Sequence, residues 1–382
     1  MKKILILEDN MWGHHLEYMS HLFHNVPKDG SCQLIYVVPK HFEEVRSLIF
    51  DEECPMVTID YMSESEYLSY HEMNYIKASL NKCRVLKKYA SKHNVDECFL
   101  IKLVSYLPFL PFFIPKQCKL SGIIYRIYYY AWHELDYVHK MKDIFQFWLL
   151  SASKRIKNIY LLNSTAAATY SNHLYNCSKF KYLPDPINVE DLKFTDLHEE
   201  LNISAQDRVF LHFGSLTRRK GTLTILEALL LLTPEQLKNK VFVFSGKVHA
   251  DIKTDFYRLC DEVRKKGVHL IIIDKFCSYE YLYNLINISD AILTPYANVA
   301  FSSGALGYAA KFNVPVIGPR RGLLGNLIKK HHLGITLREI TPTSICEAIN
   351  MEDLPKCCGE AYAEKNSIRS FASIIFHDLL TK

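Results

Sequence analysis

Short apolar runs alternate with amphipathic stretches along this chain, and the alternation is interrupted once, near the middle. Ile4–Leu7, Gln33–Val38, Met56–Ile59, Cys98–Leu103, Gly122–Tyr128 and Ile159–Leu162 read as strands. Between them, His14–Phe23, Phe42–Phe50, Tyr75–His93 and Met141–Ser153 read as helices. Such alternation predicts a parallel sheet with helices on both faces. Leu183-Pro184-Asp185-Pro186 then breaks regular structure, and a polar, acidic stretch runs from Glu190 to Asp207. The pattern resumes with strands at Val209–Phe213, Val241–Ser245, Leu270–Ile273, Ala291–Pro295 and Val314–Ile317. Helices are predicted at Gly221–Leu232, Ile252–Lys266, Tyr279–Ile288 and Gly304–Phe312. The chain therefore reads as two α/β, Rossmann-like, doubly wound domains, 1–188 and 189–382. An amphipathic stretch at Ser370–Leu380 can pack back on the first domain.

Composition changes this picture little. At 382 residues, with 49% apolar and 23% charged positions, the chain suits two soluble globular cores. Its 11 cysteines are scattered, with no Cys-x-x-Cys pair, and Cys357 and Cys358 are adjacent. Met1-Lys2-Lys3 leads straight into the first strand. A reducing cytoplasm is the expected setting.

Charge is more telling. Residues 1–76 hold 5 basic and 13 acidic side chains, a net of −8, whereas residues 77–188 hold 17 and 6, a net of +11. The basic block also carries Tyr125, Tyr128, Tyr129, Tyr130, Trp132, Phe145, Phe147 and Trp148. That mixture fits a surface meeting anionic lipid or a phosphate-bearing acceptor; aromatic strands under a solvated basic exterior account for it equally well. The apolar run Leu103–Ile114 is broken by Pro108 and Pro111 and is too short to span a bilayer. In Lys140–Lys157, Ile144, Phe147, Trp148 and Ser151 share one side, with lysines and Arg155 toward the ends. This stripe suits either a membrane interface or a buried helix, and burial is the favoured reading.

Two segments carry the candidate chemistry. Phe213-Gly214-Ser215-Leu216-Thr217-Arg218-Arg219-Lys220-Gly221 follows the first strand of the second domain, placing three cations at a strand's carboxyl end. Ala300–Gly318 reads as a small-residue turn, a helix and a buried strand. Ser302 and Ser303 can cap that helix, whose first backbone N–H groups form an anion site. Gly304, Gly307 and Ala310 leave one helix face nearly bare, able to lie against a sheet. Together the two segments can hold a diphosphate. Neither the Gly-x-Gly-x-x-Gly nor the Gly-x-x-x-x-Gly-Lys-Ser/Thr fingerprint occurs.

In this order the motifs resemble those of the GT-B glycosyltransferases, especially the family 4-like group. The basic loop ending in Lys220-Gly221, the strand Ala291–Pro295 and the Gly304-to-Val314-Pro315-Val316-Ile317 segment carry the resemblance. It implies a nucleotide diphosphate sugar bound by the second domain and an acceptor bound by the first, across a central cleft. On the donor side it points to Gly214, Ser215, Arg218, Arg219, Lys220, Ser302, Ser303 and Gly304. Gly246 and Lys247 stand at another strand end, Phe276 and Cys277 where relatives hold the base, and Tyr296 and Asn298 near the donor sugar. The pattern departs in three places: Ser215 replaces an arginine, and Ala300 and Tyr308 replace two glutamates that commonly contact donor sugar and ribose.

On the acceptor side, Trp12-Gly13-His14-His15-Leu16-Glu17 follows the first strand. An imidazole titrates near neutrality, so His14 or His15 can serve as a general base, with Glu17 as an alternative and Asp9 as an orienting group. Taken singly, either histidine reads more readily as a packing or capping residue than as a base; two adjacent histidines beside a glycine favour a functional one among them. The fold family needs no divalent metal, because cations and helix dipoles stabilise the leaving diphosphate, and no cofactor is expected. The reading is sugar transfer to a saccharide or lipid-diphosphate-linked acceptor, as in bacterial surface polysaccharide assembly. A possible peripheral contact with an anionic membrane goes with it, and no nucleic acid is expected. The alternatives are a nucleotide-sugar epimerase on the same fold and a non-catalytic sugar- or nucleotide-binding module.

Overall fold

A computed structural model describes residues 1–11, 13–50, 53–71, 73–188 and 194–381. Trp12 of the first-domain motif, and the start of the acidic stretch at Glu190, lie outside the described residues. The chain divides into two compact units, 1–184 with 368–382, and 185–367.

In the first unit seven strands lie in the order β3-β2-β1-β4-β5-β6-β7. They are β1 (Lys2–Leu7), β2 (Cys32–Pro39), β3 (Val57–Met62), β4 (Glu97–Leu100), β5 (Lys119–Ile124), β6 (Ile156–Leu162) and β7 (Phe180–Leu183). In the second unit six strands lie in the order β10-β9-β8-β11-β12-β13. These are β8 (Arg208–Phe213), β9 (Lys240–Ser245), β10 (His269–Ile273), β11 (Ala291–Leu293), β12 (Val316–Pro319) and β13 (Gly334–Leu337). Every pairing is parallel. Each unit is thus a doubly wound α/β domain. Its first strand is central: β1 pairs β2 on one side and β4 on the other, and β8 likewise joins β9 and β11. The strand order reverses there, so the loops after β1 and β8 leave the two topological switch points.

Burial explains why these runs became strands. Ile4, Leu5, Ile6, Leu34, Tyr36, Val37 and Val38 are buried on both faces of the first sheet, as parallel strands under helices require. The helix Ile368–Leu380 completes this core with Phe371, Ile375, Phe376 and Leu379. It is also tied down by polar contacts: Asp378 accepts from Tyr160 Oη at 3.0 Å and from Lys181 Nζ at 2.7 Å. The second core gathers Phe210, Phe242, Phe244, Phe256 and the helix Thr222–Leu229 around β8 and β9.

Several elements differ from the sequence reading. The helix expected at Phe42–Phe50 is two short 3₁₀ turns, Lys40–Glu44 and Arg46–Leu48. The strand expected to reach Leu103 stops at Leu100, and Leu103–Tyr106 turns into a 3₁₀ segment. The bare face of the helix Gly304–Phe312 does not lie against a sheet. Gly307 packs on Ile187, and Ala310 lies where Gly359 has no side chain. The stripe read in Lys140–Lys157 also splits in two. In the helix Tyr137–Ala152, Phe147 and Ser151 are buried, whereas Trp148 is half exposed. No helix among the described residues is long and apolar enough to cross a membrane.

Candidate active site

The second unit brings the basic loop and the Ser-Ser-Gly turn together. Thr217 Oγ1 caps a single 3₁₀ turn, Arg218–Lys220, by accepting from Lys220 N. Gly221 then takes a left-handed conformation at φ 73°, and a Cβ there would also collide with the Pro295 carbonyl, so both the turn and the close approach require glycine. This seats the loop against the segment after β11, where Ala297 N donates to Arg219 O at 2.9 Å. The Arg219 guanidinium lies over the Phe301 ring at 5.8 Å. Gly246, at φ 141°, meets the Gly214 carbonyl where a side chain would not fit, so the ends of β8 and β9 close on one another.

Lys220 is the central cation. Its Nζ donates to Phe213 O at 3.4 Å and sits 5.6 Å from the centre of the Tyr296 ring. No carboxylate pairs with it among the described residues. Tyr296 is buried, and Ser303 Oγ donates to its hydroxyl at 3.5 Å. The same Ser303 oxygen caps the helix Gly304–Phe312 by accepting from Ala305 N. A partly buried ammonium therefore stands beside a helix N-terminus at a switch point, which is the electrostatic arrangement that binds phosphate.

The other candidates on this side fall into different roles. Arg218 turns away to Asp255 at 3.3 Å, and Lys247 pairs with Asp274 at 3.4 Å. Phe276 is 82% exposed after β10, and Cys277 Sγ lies 3.2 Å from Ser245 Oγ. Ser215 is exposed. Where glutamates were expected, Ala300 is buried and Tyr308 packs its ring against Phe213 and Tyr283.

Beneath the basic loop lies a residue the sequence reading missed. His212 is buried in β8, with Nδ1 donating to Leu293 O at 2.9 Å and Nε2 accepting from Thr222 Oγ1 at 3.0 Å. It links the two loop-bearing strands β8 and β11 to the helix behind them. Burial, with the Lys220 charge adding, pushes its pKa down to about 4. The only prior signal was a polar residue in an otherwise apolar strand.

In the first unit a recess of about 340 Å³ opens at the end of β1, lined among others by Glu8, Asp9, His15, Tyr67, His71 and Lys82. Its floor is electrostatic. Glu8 is buried, and its Oε1 accepts from Asp9 N and Asn10 N at 3.0 and 2.8 Å. Its Oε2 accepts from His15 Nδ1 at 2.8 Å. That bond fixes the tautomer and leaves Nε2 as the ring's basic atom. His15 also stacks on Tyr125 at 6.0 Å. His14 instead pairs with Glu17 at 3.2 Å on the exposed side, and neither residue lines the recess among the described residues. Gly13, at φ 57°, starts the helix His14–His24 that aims them apart.

Asp9 does not orient the histidine, contrary to expectation; Glu8 does. Asp9 accepts from Lys82 Nζ at 2.7 Å and lies 3.3 Å from His71 Nε2. Burial raises its pKa, but the His71 hydrogen bond and the Lys82 charge outweigh burial and hold the carboxyl well below the usual range. Glu8, His71 and Lys82 escaped the sequence reading. The acidic Glu8-Asp9-Asn10 directly after the first apolar run was the available signal.

No family model and no curated protein sequence matches the chain. Solved structures do. Anabaena HepE in complex with UDP and glucose aligns with a TM-score of 0.66 at 13% identity, over 98% of this chain and 94% of HepE. A UDP-forming α,α-trehalose-phosphate synthase from Burkholderia vietnamiensis gives a TM-score of 0.69 at 8% identity, over 99% of each chain. A putative UDP-N-acetylglucosamine 2-epimerase from Listeria monocytogenes gives 0.62 at 11% identity, over 98% of this chain and 94% of that one. These likenesses show the fold: the chain has the GT-B fold of two Rossmann-like, parallel-sheet domains.

Two outcomes follow from this geometry. Lys82→Met removes the ammonium from the buried Asp9 carboxylate and leaves His71 as its partner. At pH 7 urea denaturation is expected to show a loss of about 3 kcal/mol, partly recovered in Asp9→Asn/Lys82→Met; an unchanged midpoint contradicts the pairing. His212 has a folded pKa below its ordinary value of 6.5, so its contribution is complete above pH 6.5 and is lost as pH falls toward about 4. His212 by itself should account for a fall in unfolding free energy of about 3 kcal/mol across that window, read as the difference between wild type and His212→Asn.

Proposed function

We propose that this protein is a glycosyltransferase that moves a sugar from a nucleotide diphosphate sugar to a hydroxyl of a saccharide or lipid-linked saccharide. The observation that carries the reading is Lys220, a cation without a carboxylate partner among the described residues, beside the Ser303-capped helix start. The fold it sits in is the one in which HepE holds UDP and glucose, which makes a uridine diphosphate sugar the donor of choice.

In this reading the second unit binds the donor. Lys220 and the first amides of Gly304–Phe312 take up charge as the bond between the anomeric carbon and the diphosphate oxygen breaks. Arg219 is the second cation in reach, through its loop against Ala297 and Phe301. The acceptor enters the recess of the first unit. Its hydroxyl oxygen attacks the anomeric carbon, and its proton passes to His15 Nε2. Glu8 steadies the imidazolium that results. Direct displacement with His15 as base inverts the anomeric centre. Retention is the default in the family 4-like group that the motifs resemble, and the replacement of its two glutamates by Ala300 and Tyr308 supports a different course here. No metal or cofactor has a part in this scheme, because the protein's own cations meet the leaving diphosphate. The work would be done at the inner face of a bacterial membrane, in surface polysaccharide assembly.

The test is nucleoside diphosphate release from a panel of nucleotide sugars, with and without saccharide acceptors and with EDTA present. Release that EDTA does not change is expected. Interconversion of the sugar without release would identify an epimerase instead, and binding without either reaction a non-catalytic module. Lys220→Ala should weaken UDP binding, read by calorimetry, by tenfold or more. His15→Ala should leave UDP affinity unchanged while lowering turnover on the order of a hundredfold. Unchanged UDP affinity in Lys220→Ala would sink the placement of the donor.

A further inference from the structure

The helix Tyr137–Ala152 has two working faces, and only one of them is used by the fold. Asp143, Gln146, Phe147, Leu150 and Ser151 point into the first unit. Asp143 is anchored there by Arg126 at 2.8 Å. The opposite face carries Tyr137, Val138, Met141, Phe145 and Trp148, which are between 46% and 76% exposed. Successive helical residues turn by about 100°, so these five fall within an arc of roughly 100° centred near Met141. Phe145 and Trp148 stack at 5.9 Å and form a continuous aromatic surface. Five large apolar side chains in one exposed row are far from the scattered singles of an ordinary surface.

Lysines border the row on both sides. Lys140 and Lys142 lie about 100° to either side of Met141 on the helical wheel. Lys140 Nζ rests over the Trp132 ring at 5.0 Å and Lys142 Nζ over the Tyr75 ring at 4.6 Å. Neither ammonium has a carboxylate partner among the described residues. Tyr75 is itself half exposed, and Ile76 beside it is 54% exposed, so the apolar surface continues past Lys142. The surrounding segment, 77–188, carries the net charge of +11 noted above.

We propose that this face is a membrane-docking surface. The helix lies in the plane of an anionic bilayer, with Met141, Phe145 and Trp148 at the boundary of headgroups and acyl chains and Lys140 and Lys142 reaching lipid phosphates. An apolar stripe bordered by lysines, with aromatic rings at its surface, is the arrangement that settles at that interface. The charge selects the occupant: a neutral protein groove would cover the apolar row and leave the lysines unmatched, whereas anionic headgroups match both. Docking does not depend on the transferase reading and is measured without turnover.

The experiment uses the whole chain with vesicles of phosphatidylcholine alone or mixed with phosphatidylglycerol. Co-sedimentation should be at least tenfold stronger with phosphatidylglycerol and should weaken as salt is raised. Phe145→Glu/Trp148→Glu should abolish it. Lys140→Ala/Lys142→Ala should remove most of the preference for the anionic lipid. Brominated acyl chains should quench wild-type fluorescence strongly but Trp148→Phe only weakly, a readout that leaves the face intact if the glutamate variant misfolds. Failure of the wild type to bind either vesicle overturns the proposal, and so does equal quenching of wild type and Trp148→Phe. A dimer in solution that Phe145→Glu/Trp148→Glu dissociates, without vesicle binding, would assign the face to a second copy and overturn it as well.

Discussion

A parallel sheet can reverse its winding only where the central strand has neighbours on both sides, and the candidate chemistry of this protein depends on that constraint. β1 lies between β2 and β4, and β8 between β9 and β11. The connections that leave these strands run to opposite sides of the sheet, so the space beyond their carboxyl ends is not crossed by a connecting loop. Glu8 and His15 occupy that position in the first unit. Lys220 and the Ser303 cap are held at the corresponding position in the second.

Each position is stabilised from below by polar groups that cannot afford to be unpaired. His212 satisfies both ring nitrogens within the core and fixes β11 and the helix Thr222–Leu229 relative to β8. Glu8 uses one carboxylate oxygen on two backbone amides and the other on His15. Such networks are costly if a single partner is lost. They therefore hold the loops in one arrangement, and a loop that carries positive charge toward a phosphate needs that rigidity. Asp9, Lys82 and His71 do the same for the rim of the first recess.

The legible part of the site was the part encoded locally. Gly214 to Gly221 and Ser302 to Gly304 stand out because glycine turns, a run of cations and a serine cap are properties of neighbouring residues. The partners that decide what those residues do come from elsewhere. Arg218 is drawn to Asp255 and Lys247 to Asp274, which leaves Lys220 as the cation against Tyr296. His14 and His15 look equivalent in sequence, yet the turn of about 100° between successive helical residues sends one to Glu17 at the surface and the other to buried Glu8. Likewise, helical spacing in Tyr137–Ala152 marked an amphipathic element but not which of its two apolar sides met the core.

The alternation of apolar runs and amphipathic stretches determined by itself that the chain forms α/β layers, because strand and helix periods follow from local backbone geometry. The strands β1, β2, β8 and β9 were read within a residue or two, whereas β4, β5 and β6 differ by three or four residues at one end or both; β7 and β13, four residues each and at sheet edges, were invisible until their neighbours paired with them. Only tertiary structure decided the strand order, the contacts that hold the helix Ile368–Leu380 in the first unit's core and the choice of Glu8 over Asp9 as the histidine's partner. These are contacts between residues far apart in the chain, or between groups whose direction depends on packing. A local pattern does not specify them.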